Sequence, residues 1–250
     1  MSPVVTSRPL SGLTAAWLLA RLTLRRLLHS RSMLVTLTFA LLPIAYAFAA
    51  RAEEESTPVR VWGNAFTIAV FLLAIGPPLH LAPAVAEEVE GKTYTYLWSR
   101  PFPRWALIVG KLIVLVPVLC VIFGVMLGAV FAACFQSETG AFVNTLANGV
   151  LAMSMGVAAT SCVCVALGTL LSKHPIAVSV GYMFVLDAGL GGLPISLHSF
   201  SISYQVAQIA KVEDSPDPLA GAMLWCVGVA AIWLAVALWR VSRAEFSTDK

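Results

Sequence analysis

Charge is what this chain has least of. Lys, Arg, Asp and Glu make up 12% of its 250 residues, 59% are apolar, and mean hydropathy is +0.85. Soluble domains carry about twice that share of charge, so a soluble core is excluded. The net charge is only +3, with no basic cluster of the kind that grips phosphates, so no nucleic acid is expected as a partner. The five cysteines (Cys120, Cys134, Cys162, Cys164, Cys226) all lie in or at the ends of apolar runs. There they read as small buried hydrophobes and not as a disulfide framework. A nucleotide-binding loop is also missing. Gly91-Lys92-Thr93 looks like the end of GxxxxGK[ST], but position 86 is Ala and no strand precedes it. Any ATPase must therefore be another chain. Internal repeats and low-complexity segments are absent too.

What the chain has instead is apolar runs, at 33–50, 65–86, 106–134, 146–171, 176–193 and 219–241. A helix needs about 20 such residues to cross a bilayer, which predicts an all-α membrane protein of six spans. Pro77, Pro78 and Pro83 surround His80 in the second run and predict a kink there. The fourth is rich in the small residues that let helices approach closely. The fifth breaks at Asp187 and the glycines before Pro194, and 194–218 follows as a re-entrant region on the far side of the membrane. Ahead of the first run, Leu13, Trp17, Ala20, Leu24 and Leu27 oppose Arg21, Arg25, Arg26 and His29. That pattern predicts an amphipathic elbow helix over 13–30, lying flat on the cytoplasmic leaflet. The first run ends in AYAFAA, like a signal-cleavage site, but the long amphipathic segment before it argues for a retained span. With six spans, thirteen of the sixteen basic residues fall on the side of the N-terminus, the 87–105 loop and the C-terminus. Positive-inside then places both termini in the cytoplasm.

The longest polar interval is Glu87–Lys111, with three of the thirteen acidic residues and four of the sixteen basic ones. Three carboxylates mark where the chain leaves the lipid, and an aromatic knob (Tyr94, Tyr96, Leu97, Trp98) sits between basic residues. Arg100-Pro101 and Pro103-Arg104 end any helix. From these residues alone the loop reads equally as a protein-docking element or as an interfacial aromatic belt. The pattern E-x-E-G-K-T-Y-x-Y-L-x-S-R-P-x-P-R, followed by Gly110-Lys111, resembles the loop between the second and third helices of ABC-2 type transporter permeases. One departure is Lys92, where many relatives carry glycine before the threonine. The resemblance implies a cytoplasmic coupling loop over 87–105 that docks on a separate ATPase through Thr93, Tyr94, Tyr96, Leu97, Trp98, Arg100, Pro101 and Arg104. It also implies a cytoplasmic gate at Glu87, Glu88, Glu90 and Lys111. As partners it implies two copies of an ABC ATPase, a second permease subunit and membrane lipid, in a bacterial cytoplasmic (inner) membrane. ATP and Mg would belong to the partner ATPase, with no cofactor, metal or catalytic residue in this chain.

Two residues inside the spans are candidates for the pathway or gate, His80 and Asp187. A carboxylate within a span is costly, which makes Asp187 a functional candidate; the alternative is that it hydrogen-bonds the broken backbone around it. Cys162-x-Cys164 and Met153-x-Met155 hold soft ligands, but i and i+2 face apart on a helix, so packing is the simpler account. Two other functions share parts of the pattern. A non-transporting membrane subunit that anchors or energises a motility or assembly machine would have the same loop. Glu87-Glu88 with Lys92 approximates the EExxxR of intramembrane CAAX-type proteases, but no histidine here has Phe four residues before it.

Overall fold

The first long helix starts where Ser30 turns the chain, its side chain accepting the Met33 N–H at 3.3 Å while its hydroxyl donates to the Leu27 carbonyl at 2.8 Å. A hydroxyl at this position satisfies an amide that the helix cannot. The computed structural model describes residues 21–25, 27, 30–52, 57–90, 105–135, 140, 142–171, 173–191, 196–211 and 219–243; of 84–90, 107 and 196 it describes the backbone alone. Of the elbow helix expected over 13–30, residues 21–25 and 27 are helical and most of the rest lies outside the described residues.

Long helices follow in order: α1 (Arg31–Arg51), α2 (Pro58–Leu73), α3 (Gly76–Glu90), α4 (Trp105–Cys134) and α5 (Val143–Leu170). Next comes one helical run made of α6 (Pro175–Gly181), a π-wound segment (Tyr182–Ala188) and α7 (Gly189–Gly191). A 3-10 turn (Ser196–Phe200), α8 (Ile202–Ala210) and α9 (Leu219–Arg243) complete the order, with no strand among the described residues. Among the described residues, five stretches are long and apolar enough to cross a membrane: Arg31–Arg51, Pro58–Pro83, Ile108–Cys134, Val143–Leu170 and Leu219–Arg243.

Two expectations change in detail. The second span begins at Pro58 and not at 65, because Thr57 is extended and Pro58 supplies the fixed backbone angle of a first helical turn. It is also two helices, broken at Ala74–Ile75, so the break precedes the prolines it was expected to centre on. Pro77 and Pro78 fall in the opening turn of α3, where a missing N–H costs nothing. The run expected at 176–193 is helical over Pro175–Gly191, shorter than the five.

α5 is the central post. It packs against α9, α3, α4 and α8, and nearly every residue from Ala159 to Thr169 is buried. Its glycines set the distances. A Cβ on Gly149 would lie 3.0 Å from the Trp62 ring, one on Gly156 2.7 Å from both Leu73 and Val206, and one on Gly168 2.8 Å from the Ala82 carbonyl oxygen. The small-residue pattern thus lets α2, α3 and α8 press onto one helix. Beside the Gly149 contact, Trp62 packs against Phe66, Phe131 and Phe135, and Phe142 stacks on Phe135 at 4.4 Å.

Candidate functional site

The 87–111 interval joins two helices, and Glu87–Glu90, expected as the start of the loop, continue α3. α3 carries the chain to Glu90 and α4 takes it up again at Trp105. Thr93, Tyr94, Tyr96, Leu97, Trp98, Arg100, Pro101 and Arg104 lie outside the described residues, as do the side chains of Glu87, Glu88 and Glu90. Lys111 is described. It sits two turns into α4 and is buried, only 5% exposed. For a lysine this is exceptional, since the amine costs several kcal/mol to remove from water unless it is paired.

His80 is the polar centre of α3. Its Nε2 lies 2.8 Å from the Thr36 hydroxyl and its Nδ1 3.3 Å from the Ser32 hydroxyl, so both ring nitrogens are occupied by α1. A hydroxyl either donates or accepts, which suits whichever tautomer the ring adopts. Ser32 and Thr36 are four residues apart and share one face of α1, spaced to bracket an imidazole. The bracket fixes α3 to α1 about ten residues before α3 ends. Above it an apolar crevice is lined by Thr36, Phe39, Ala40, Leu72, Ile75, Gly76, Ile122 and Phe123, at the level of the α2–α3 break.

Asp187 lies on the π-wound segment and is buried. Its Oδ1 accepts the Ile202 N–H at 2.5 Å, and its Oδ2 accepts the Ser203 N–H at 3.1 Å as well as the Ser203 hydroxyl. Ser201 covers the next amide, Tyr204, at 3.2 Å. The opening amides of α8 are therefore satisfied by one carboxylate and one hydroxyl, and the carboxylate also faces the positive end of the helix dipole. His80 and Asp187 are thus two polar centres with different partners, each tying one helix to another.

Sequence reasoning missed the partners. Ser32 and Thr36 stand more than forty residues from His80, and a hydroxyl near the start of a span is too common to mark. It also missed Arg51, whose guanidinium donates to the Ala133 carbonyl at 2.7 Å and so hooks the end of α1 over the end of α4. A cation near a helix C-terminus is the available signal for that contact. Cys162 and Cys164 are buried and unbridged, and among the described residues no three His, Cys, Asp or Glu side chains gather as a metal site.

Comparison with known proteins gives one positive finding. The profile of a family described as ABC-2 family transporter protein matches residues 17–186, more than half of the chain. No curated protein matches it.

Proposed function

Since this chain belongs to the ABC-2 family of transporter proteins and is a multi-pass membrane subunit of a transport system, we propose that it is the permease of an ATP-driven exporter whose ATPase is a separate chain. The observation that carries this reading is the position of the 87–111 interval. It lies inside the matched region and joins two long helices, in a chain with no nucleotide-binding loop of its own. Its aromatic knob would seat in a groove of the ATPase, with Arg100 and Arg104 at the rim. Two ATPase copies, holding ATP and Mg, would work with two permease subunits. The excess of basic residues on the loop side orients both termini and the loop toward the cytoplasm of a bacterial cell.

The chain's own residues supply the mechanical part. A push on the loop is taken up first by α3 and α4, which flank it. α3 is braced to α1 by the His80 bracket and pressed to α5 at Gly168, so it moves only together with them. ATP binding changes the equilibrium between arrangements of these helices only to the extent that the docked ATPase contacts them differently.

The test is purification from native membranes of wild type and of Trp98→Ala combined with Leu97→Ala. Losing an aromatic anchor typically costs about 2 kcal/mol or more, enough to release a partner during washing. The wild-type chain should bring down an ATPase, and the double variant should fold, insert and come down without it. Full co-purification of an ATPase with the double variant would refute docking through this loop.

A further inference from the structure

The helical run Pro175–Gly191 changes its winding in the middle. The Gly189 N–H is shared between the Leu186 carbonyl and the Phe184 carbonyl, the latter five residues away, and the π winding holds from Tyr182 to Ala188. Such segments are usually single turns with an identifiable cause. Here the local sequence, YMFVLDA, contains no proline or glycine. Nor does packing on the outer side demand it, since Phe184, Val185 and Leu186 are all exposed. The cause lies on the inner side. Ser179, Met183 and Asp187 are buried at intervals of four residues. On an α-helix each such step turns about 40° too far, so Asp187 would point about 80° away from Ser179. A wider turn keeps the three in line, and Asp187 then meets the opening amides of α8. Just beyond, the run comes so close to α8 that a Cβ on Gly191 would lie 2.8 Å from Ser201 Oγ and 3.4 Å from Ser201 Cβ.

We propose that residues 182–188 are a two-state segment, held π-wound by the Asp187 carboxylate on the first turn of α8 and rewinding as α-helix when that grip is released. A π turn takes up about one residue more than an α turn, so rewinding swings Gly191 about 100° relative to Pro175–Gly181. The swing carries Gly191 away from Ser201 and uncouples the run from α8, which is itself packed on α5 through Val206 and Gly156. Asp187 is then a positioning residue. The latch belongs to the folded chain and does not depend on what, or whether, the chain transports.

The experiment uses the full-length chain in lipid nanodiscs with Gly191→Cys and Ser201→Cys. Their Cβ positions, 3.4 Å apart, are close to the roughly 3.5–4.5 Å of a disulfide. A disulfide such as oxidised glutathione is added as the two-electron oxidant, and the rate of bridge formation is followed by mass spectrometry of the linked peptide. With Asp187 in place the bridge should form readily. Asp187→Ala should slow it about tenfold or more, the scale of lost charge-assisted hydrogen bonds, and Asp187→Asn, which keeps the size and one acceptor, should slow it less. Deleting Val185 removes the surplus residue, so the run can wind as α-helix with Gly191 still facing Ser201. That deletion should restore bridging in the Asp187→Ala background and leave it intact when Asp187 is present. Unchanged bridging in Asp187→Ala would overturn the proposal. So would a Val185 deletion that abolishes bridging in a chain that is otherwise monodisperse, because on an ordinary α-helix one deletion turns Gly191 about 100° away.

Discussion

Gly168→Ala adds one methyl group at the place where α5 meets backbone. The new Cβ would lie 2.8 Å from the Ala82 carbonyl oxygen, 3.4 Å from its Cα and 3.6 Å from its carbonyl carbon. None of these atoms can turn aside as a side-chain end could, so α3 as a whole has to move by several tenths of an ångström. Overpacking of this kind costs about 1–3 kcal/mol. Replacing glycine by alanine within a helix returns about 0.5–1 kcal/mol, so the net destabilisation is about 0–2.5 kcal/mol, and the deficit against the same change at an unhindered glycine is about 1–3 kcal/mol. For a chain of this length that deficit is a melting point about 2–12 °C below that of the unhindered variants. Gly124, Gly128 and Gly228 supply the control, because a Cβ at any of them meets nothing within 4 Å. Alanine there should leave the melting point unchanged or raise it slightly. Thermal unfolding of the four single variants in one lipid, at one scan rate, measures the contrast. If Gly168→Ala melts at or above the controls, the close approach of α3 to α5 is wrong.

His80→Ala should lower stability by about 1–3 kcal/mol by leaving the buried Thr36 hydroxyl without its imidazole partner, while Ser32 keeps its contact to Ser30 at 3.0 Å. Because the two side chains form one unit, His80→Ala with Thr36→Val should cost clearly less than the sum of the single changes, as read by thermal melting; strict additivity would mean that the bracket contributes nothing. Topology is checked with a water-soluble thiol reagent on Leu24→Cys and Arg25→Cys: the second should label from the cytoplasmic side and the first should be shielded by lipid. Equal labelling, or labelling of position 25 from outside, would refute the flat elbow helix.

How far the sequence could be read depended on whether a feature is written in a run or in a pair. The spans are runs, and composition alone placed the helices that begin at Arg31, Trp105, Val143 and Leu219 within a few residues. Small residues picked out the fourth run, which proves to be the post on which α2, α3 and α8 rest. Asp187 was conspicuous because a carboxylate in a span is rare, but its partners at 202 and 203 lie across a turn that no periodicity predicts. The π winding left no trace for a different reason: it shifts hydrogen bonds by one residue without changing which residues are apolar. At Pro77 and Pro78 the residues were informative and the inference went one turn astray, since proline breaks the helix before it and opens the one after it.

The joint between α2 and α3 also determines what kind of motion the two helices can pass on. The Ala74 and Ile75 N–H groups reach back only three residues, to Phe71 and Leu72, both at 3.1 Å, and Pro77 and Pro78 have no N–H to donate. The α-helical ladder is therefore interrupted over this stretch, and the ladder is what makes a helix stiff in torsion. Two rods butted end to end transmit compression but are soft to twist where they meet. Thrust along α3 can bear on Leu73 at the end of α2, whereas a twist of α3, which the His80 bracket and the Gly168 contact hold to α1 and α5, passes only weakly into α2. The break acts as a swivel set into a membrane span, passing displacement along the span and little torque.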